Sequence, residues 1–195
     1  MTETTSQINP GKSAPVTPVL SNRTKRMYRR RGLSNLLKMG HCAPTVMETL
    51  LDLGNTKEEW MVKMTAGLPG GTAFKGLTCS AFTAGLMAIG LKLGEIEDSN
   101  LRVIRMLTTM ITGGNALADN MNKFNRLLNI GHRMSKWFTK EFGSTICHEV
   151  KKCDFSSLGD VHRYIDKDSV TTCKNLAEKV ANQAQRIIDQ NGIGF

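Results

Sequence analysis

The stretch Cys79-Ser80-Ala81-Phe82-Thr83-Ala84-Gly85-Leu86-Met87-Ala88-Ile89-Gly90-Leu91-Lys92-Leu93 decides the fold. Read at helical spacing, it has almost no polar side, and a helix of that kind is buried all round. Its small residues let neighbouring backbones approach closely. The breaker cluster Gly67-Leu68-Pro69-Gly70-Gly71-Thr72 precedes it and sets its start near Cys79. The expected architecture is therefore all-α: a compact multi-helix bundle around this buried central helix.

Glycine punctuation divides the rest of the chain into further helices. Pro44 suits a first turn, Val46, Met47, Leu50, Leu51 and Leu53 supply an apolar face, and Gly54 is the stop. Asn55 or Thr56 is placed to cap a following helix to about Ala66 that buries Trp60, Met61 and Met64. Helices are expected over roughly 100–112, over 116–142 with an interruption near Gly131, after a Ser144 cap, and from about Asp168 to Gln190. No strand alternation and no fixed-period repeat is visible.

The 195 residues are enough for one domain with a core. Hydrophobic residues make up 40%, a figure lowered by a polar N-terminal segment, so the division expected is a disordered basic tail over 1–32 and a helical domain over 33–195. The net charge of +9 is uneven. Residues 1–34 hold seven Lys/Arg against one Glu and account for +6, leaving +3 for everything else. A nucleic-acid surface would place more basic residues in the folded part, so nucleic acid is not the expected partner. The longest charge-free run, 76–91, is too short to span a bilayer. No apolar secretory segment is seen, and the expected location is the cytoplasm, where cysteines are reduced thiols or metal ligands.

The five cysteines, Cys42, Cys79, Cys147, Cys153 and Cys173, contain no C-x-x-C pair and no ferredoxin spacing. Their placement says more. Cys42, Cys79 and Cys147 each fall at an expected helix start, where unpaired amides and the helix dipole favour a thiolate. Buried cysteines acting as small hydrophobes would give the same pattern, and both readings stand open at this point. His41 and His148 each neighbour one of these cysteines. Adjacent residues point in different directions on a helix, so the histidines are expected to act as supporting donors or as surface residues.

Gly40-His41-Cys42-Ala43, the glycine-rich loop leading into Cys79–Gly90, the segment Phe138…Phe142-Gly143-Ser144…Cys147 and the late Cys173 together resemble the redox-active protein family named for its C…GCAxxG…C…C cysteine pattern. Its members are small helical proteins with four characteristic cysteines, and a related domain in split-Soret cytochromes accompanies an iron–sulfur centre. The resemblance implies that Cys42, Cys79, Cys147 and Cys173 hold the cofactor or metal, with Cys153 as an extra. This chain departs from the pattern at Ser80, where glycine is usual, and at Ala84. Ser80 is then expected either to crowd the site or to donate a hydrogen bond to a sulfur. The function so implied is an iron–sulfur or other metal centre for electron transfer or sensing, working with a redox partner protein. A metal-free thiol–disulfide protein is one alternative. A non-catalytic helical adaptor with structural zinc is another.

Overall fold

The computed structural model of the protein describes residues 22–54, 58–94, 100–113, 123–153, 155, 157, 159 and 167–191. The described residues form α1 (Asn22–Met39), α2 (Cys42–Leu53), α3 (Glu59–Met64), α4 (Ser80–Leu93), α5 (Asn100–Ile111), α6 (Lys123–Phe142), α7 (Cys147–Lys151) and α8 (Lys167–Asn191). Among them there is no sheet, only one isolated antiparallel bridge between Thr78 and Ile146. No described helix is long and apolar enough to cross a membrane.

As the central stretch predicts, α4 is the axis of the bundle and packs against α2, α8 and α6. Small residues make the close approach to α8 possible: a Cβ at Gly85 would lie 2.8 Å from Val180 Cγ1. Val46, Ile89, Ile130, Met134, Phe138 and Val180 fill the space between these four helices. The Phe138 ring stacks at a tilt on Phe82 (centroids 5.0 Å apart) and on Phe142 (4.7 Å), tying α6 to α4. Polar ties close the α6–α8 side, where Arg126 donates to the Asn191 carbonyl at 2.9 Å and Lys179 pairs with Glu141.

α1 begins at Asn22 and runs through the basic segment; residues 1–21 lie outside the described residues. Lys and Arg are good helix formers, and the C-terminal half of α1 is anchored to α2. Buried Asn35 donates to Thr49 Oγ1 and Asp52 Oδ2, and Arg31 donates to the Asp52 carbonyl. The helix after Gly54 is only Glu59–Met64, and its buried side chain is Val62, while Trp60 and Met64 are exposed. Six residues are too few for apolar periodicity to choose a face, and the caps assigned to Asn55 or Thr56 lie outside the described residues. Finally, α6 passes through Gly131 without a break and is described from Lys123.

Candidate thiol centre

The structure builds the site from three helix starts. Cys42 is the first residue of α2, Cys79 is the N-cap of α4, and Cys147 is the first residue of α7. Glycine and proline punctuation ends the preceding loops at these points. Ser144 contributes differently from its expected cap: Ile146 is the N-cap of α7, and its amide donates to Ser144 Oγ at 3.0 Å.

The Thr78–Ile146 bridge brings two of these starts together. The Cys79 amide donates to the Thr145 carbonyl (2.8 Å) and the Cys147 amide to the Leu77 carbonyl (2.6 Å). Cys79 and Cys147 thus flank the bridge diagonally and project from its same face, an arrangement that separates Cα atoms by about 7–8 Å in a regular ladder. The loop from Gly70 to Phe74 wraps this junction in five successive left-handed conformations, three of them at Thr72, Ala73 and Phe74. Non-glycine residues hold that conformation only where surrounding contacts over-determine it. Here amides reach far back along the loop, Gly76 to the Gly70 carbonyl and Leu77 to the Gly71 carbonyl. Gly71 admits no side chain, since its Cβ would stand 2.6 Å from Cys147 Cβ.

Cys42 joins from the other side. Its Sγ lies 3.0 Å from Ser80 Oγ, with both groups buried, so the residue that departs from the cysteine pattern is hydrogen-bonded to a sulfur. Either atom is able to donate. Cys173, on α8, is buried in the same apolar cluster as Cys42 and Cys79, whereas Cys153 is half-buried. None of the five cysteines is paired in a disulfide.

Burial dominates the electrostatics. It pushes the Cys79 thiol up to about 12, and the nearby Cys42 sulfur adds to the rise. The Ala81 and Phe82 amides face the Cys79 sulfur and favour its thiolate, without closing a capping hydrogen bond, and they do not prevail. Burial likewise pushes Cys147 up to about 12, with further contributions from Cys79 and Cys42. Cys42, Cys79 and Cys147 therefore lie within electrostatic reach of one another. At neutral pH Cys79 and Cys147 are thiols, so desolvation overrides the thiolate stabilisation expected from helix starts. Among the described residues, the cation that opposes the rise in both cases is Lys151.

The histidines take supporting places. His148 Nδ1 meets the Gly76 carbonyl at 3.0 Å and anchors the loop. His41 packs edge-on against Phe74, and its Nδ1 is buried with no hydrogen-bond partner among the described residues. Sequence reading missed Phe74 and the bridge, which carry no local chemical signature. Among the described residues, no group of three or more His, Cys, Asp or Glu side chains stands arranged to hold a metal ion.

Comparison with known proteins places the chain in a family. No curated protein and no solved structure matches the chain. Residues 40–187, a span that includes all five cysteines, match the family model described as "Putative redox-active protein (C_GCAxxG_C_C)", and the chain belongs to that family.

Proposed function

We propose that Cys42, Cys79 and Cys147 form the redox centre of the protein and that it works by dithiol chemistry with a partner protein. The observation that supports this is that the buried Cys42 sulfur raises the Cys79 thiol and that both raise the Cys147 thiol, at the junction of α2, α4 and α7. Two of these thiols transfer two electrons and two protons to a disulfide of the partner. One thiol, once deprotonated, attacks that disulfide and forms a mixed disulfide. The second then displaces the partner's remaining thiol and closes an intramolecular bridge. Thiols pushed up to about 12 gain no stabilisation as thiolates. Little thiolate is present at neutral pH, which makes the pair a slow reductant.

A specific observation favours a second reading, a metal centre. The amides facing the Cys79 sulfur favour a charge that burial and the Cys42 sulfur oppose, and a bound cation would reverse that balance. The donor chemistry fits, since thiolates are the ligands of iron–sulfur clusters and of structural zinc. Cys42, Cys79 and Cys147 would hold the group with Cys173 as the fourth ligand, after side-chain rotation from the present arrangement. An iron–sulfur cluster would supply one-electron transfer; zinc would supply a structural tie.

One preparation tests both. Anaerobically purified protein is analysed for iron, sulfide and zinc, then alkylated before and after treatment with a disulfide oxidant and mapped by mass spectrometry. Dithiol chemistry gives colourless protein and one specific intramolecular bridge that includes Cys79. Brown protein with iron and sulfide in similar amounts, bleached by Cys79→Ser, replaces it with the cluster. Stoichiometric zinc with no bridge replaces it with the structural site.

A further inference from the structure

Dithiol exchange with a partner protein needs a sulfur that the partner's disulfide is able to reach. Cys42, Cys79 and Cys147 are only 3–4% exposed. Of the five cysteines, Cys153 alone is not buried. It packs, half-buried, against the apolar cluster that contains Cys42 and Cys79.

The way α7 ends brings Cys153 back to the site. Lys152 takes a left-handed conformation (φ 51°, ψ 39°) and its amide donates to the His148 carbonyl. The Cys153 amide donates to the same carbonyl at 3.2 Å. A turn of this kind folds the residue after the left-handed position against the residues five and six places before it. Here those are His148 and Cys147, the first two residues of α7. The Cys153 sulfur accordingly lies within electrostatic reach of Cys147 and raises its thiol, as Cys79 and Cys42 do from the interior. Cys147 is thus shared between a sulfur near the surface and two buried ones. It also lies outside the apolar cluster, on a helix of five residues, the kind of element that shifts most easily.

We propose that Cys153 is the entry thiol of the centre and that Cys147, carried by α7, passes the disulfide inward from Cys153 to Cys79. The relay, which rests on the dithiol reading, runs in three exchanges. Cys153 gives its proton to solvent, and its thiolate attacks one sulfur of the partner disulfide. That S–S bond breaks, and the partner's leaving sulfur takes up a proton. Cys147, deprotonated in turn, attacks the Cys153 sulfur, forms a Cys147–Cys153 disulfide and expels the partner's second thiol. Cys79 then attacks Cys147, closes the buried bridge and returns Cys153 to a thiol. Two electrons and two protons leave Cys79 and Cys147, and the partner disulfide gains them. The last exchange needs movement of α7, because Cα atoms about 7–8 Å apart are not bridged by a disulfide in place.

The test mixes the full chain, reduced and anaerobic, with oxidised glutathione as the partner disulfide. Samples are quenched in acid over time, alkylated and mapped by mass spectrometry, and circular dichroism checks that each variant keeps its helical content. In the wild-type chain, glutathione on Cys153 and then a Cys147–Cys153 bridge are expected to precede the Cys79–Cys147 bridge. Cys79→Ser is expected to stop at Cys147–Cys153, and Cys147→Ser with glutathione held on Cys153. Cys153→Ser is expected to form the internal bridge at least about tenfold more slowly, since the remaining thiols react only through local opening. A Cys153→Ser variant that forms that bridge at the wild-type rate overturns the relay and leaves the dithiol reading standing. So does glutathione that stays on Cys153 while the bridge at Cys79 forms without it. A wild-type chain that forms no internal bridge overturns both.

Discussion

Cys79 illustrates how burial sets the chemistry of a residue that its position alone suggests is activated. A thiol raised from 9.0 to about 12 keeps its proton in the folded chain after the unfolded chain has released it. The sign follows from linkage: between those two values the unfolded state binds fewer protons, so stability is full below about pH 9 and falls as pH rises through the window. The slope is about 1.4 kcal/mol per pH unit for each such thiol, or roughly 3–6 °C in melting temperature for a chain of this size. Melting curves from pH 8 to 10.5 are expected to show this decline, and Cys79→Ala to flatten it. Ser80 acts on the neighbouring sulfur. If the Cys42 thiol donates to Ser80 Oγ, the bond exists only in the reduced protein. Ser80→Ala then costs about 1 kcal/mol in the reduced form and moves the thiol–disulfide equilibrium about fivefold toward the bridge. Equilibration against glutathione at fixed ratios, followed by alkylation and mass spectrometry, measures that shift. An unchanged equilibrium with a lowered melting temperature would assign Ser80 a packing role only.

At the scale of elements, the loop before α4 carries the strongest constraint on the site. Gly71 sits at φ +72°, with Cys147 Cβ and the Leu77 amide both 2.6 Å from where a side chain would begin. Gly40 has a nearly identical φ of +71° and open space around it. Gly40→Ala is therefore expected to cost about 1 kcal/mol, the backbone penalty alone. Gly71→Ala adds a clash with backbone and is expected to cost more than about 3 kcal/mol, or to displace α7 from the bridge. Urea denaturation of the two variants checks the contrast. The same loop shows where sequence reading ends. Its glycine and proline cluster announces a break, and the helix starts at Cys42, Cys79 and Cys147 are legible because breakers precede each one. The left-handed turn through Thr72, Ala73 and Phe74 is not legible. None of these residue types prefers that conformation, and only contacts made elsewhere in the fold impose it. Trp60 and Met64 fail for a related reason: α3 is too short for its apolar residues to define a face.

For the whole molecule, the apolar length of α4 makes its burial legible, whereas the boundary of α1 is obscured by charge. A run dominated by Arg and Lys reads as solvated leader, yet Asn35 and Leu36 bury the far end of the same helix against α2 and α8. The bundle that results is unequal in how firmly it holds its thiols. Cys42, Cys79 and Cys173 belong to the apolar cluster shared by α2, α4, α6 and α8. Cys147 is equally buried but lies outside that cluster, on a five-residue helix held by the bridge, the Gly71 contact and the His148 anchor. Few apolar contacts over a short helix are the conditions for local opening below the global transition. Thiol labelling across a urea series is thus expected to proceed in order. Cys153, half-buried, reacts in native protein. Cys147 follows at urea concentrations below the midpoint read by circular dichroism, and Cys42, Cys79 and Cys173 react at that midpoint. Lys151 and Lys152 let trypsin place Cys147 and Cys153 on separate peptides, so the two are read independently. Labelling of all four buried thiols at one midpoint would instead make α7 and the left-handed loop part of the same cooperative unit as the bundle. A partner disulfide would then have to meet Cys42 or Cys79 without the opening at α7 that this order predicts.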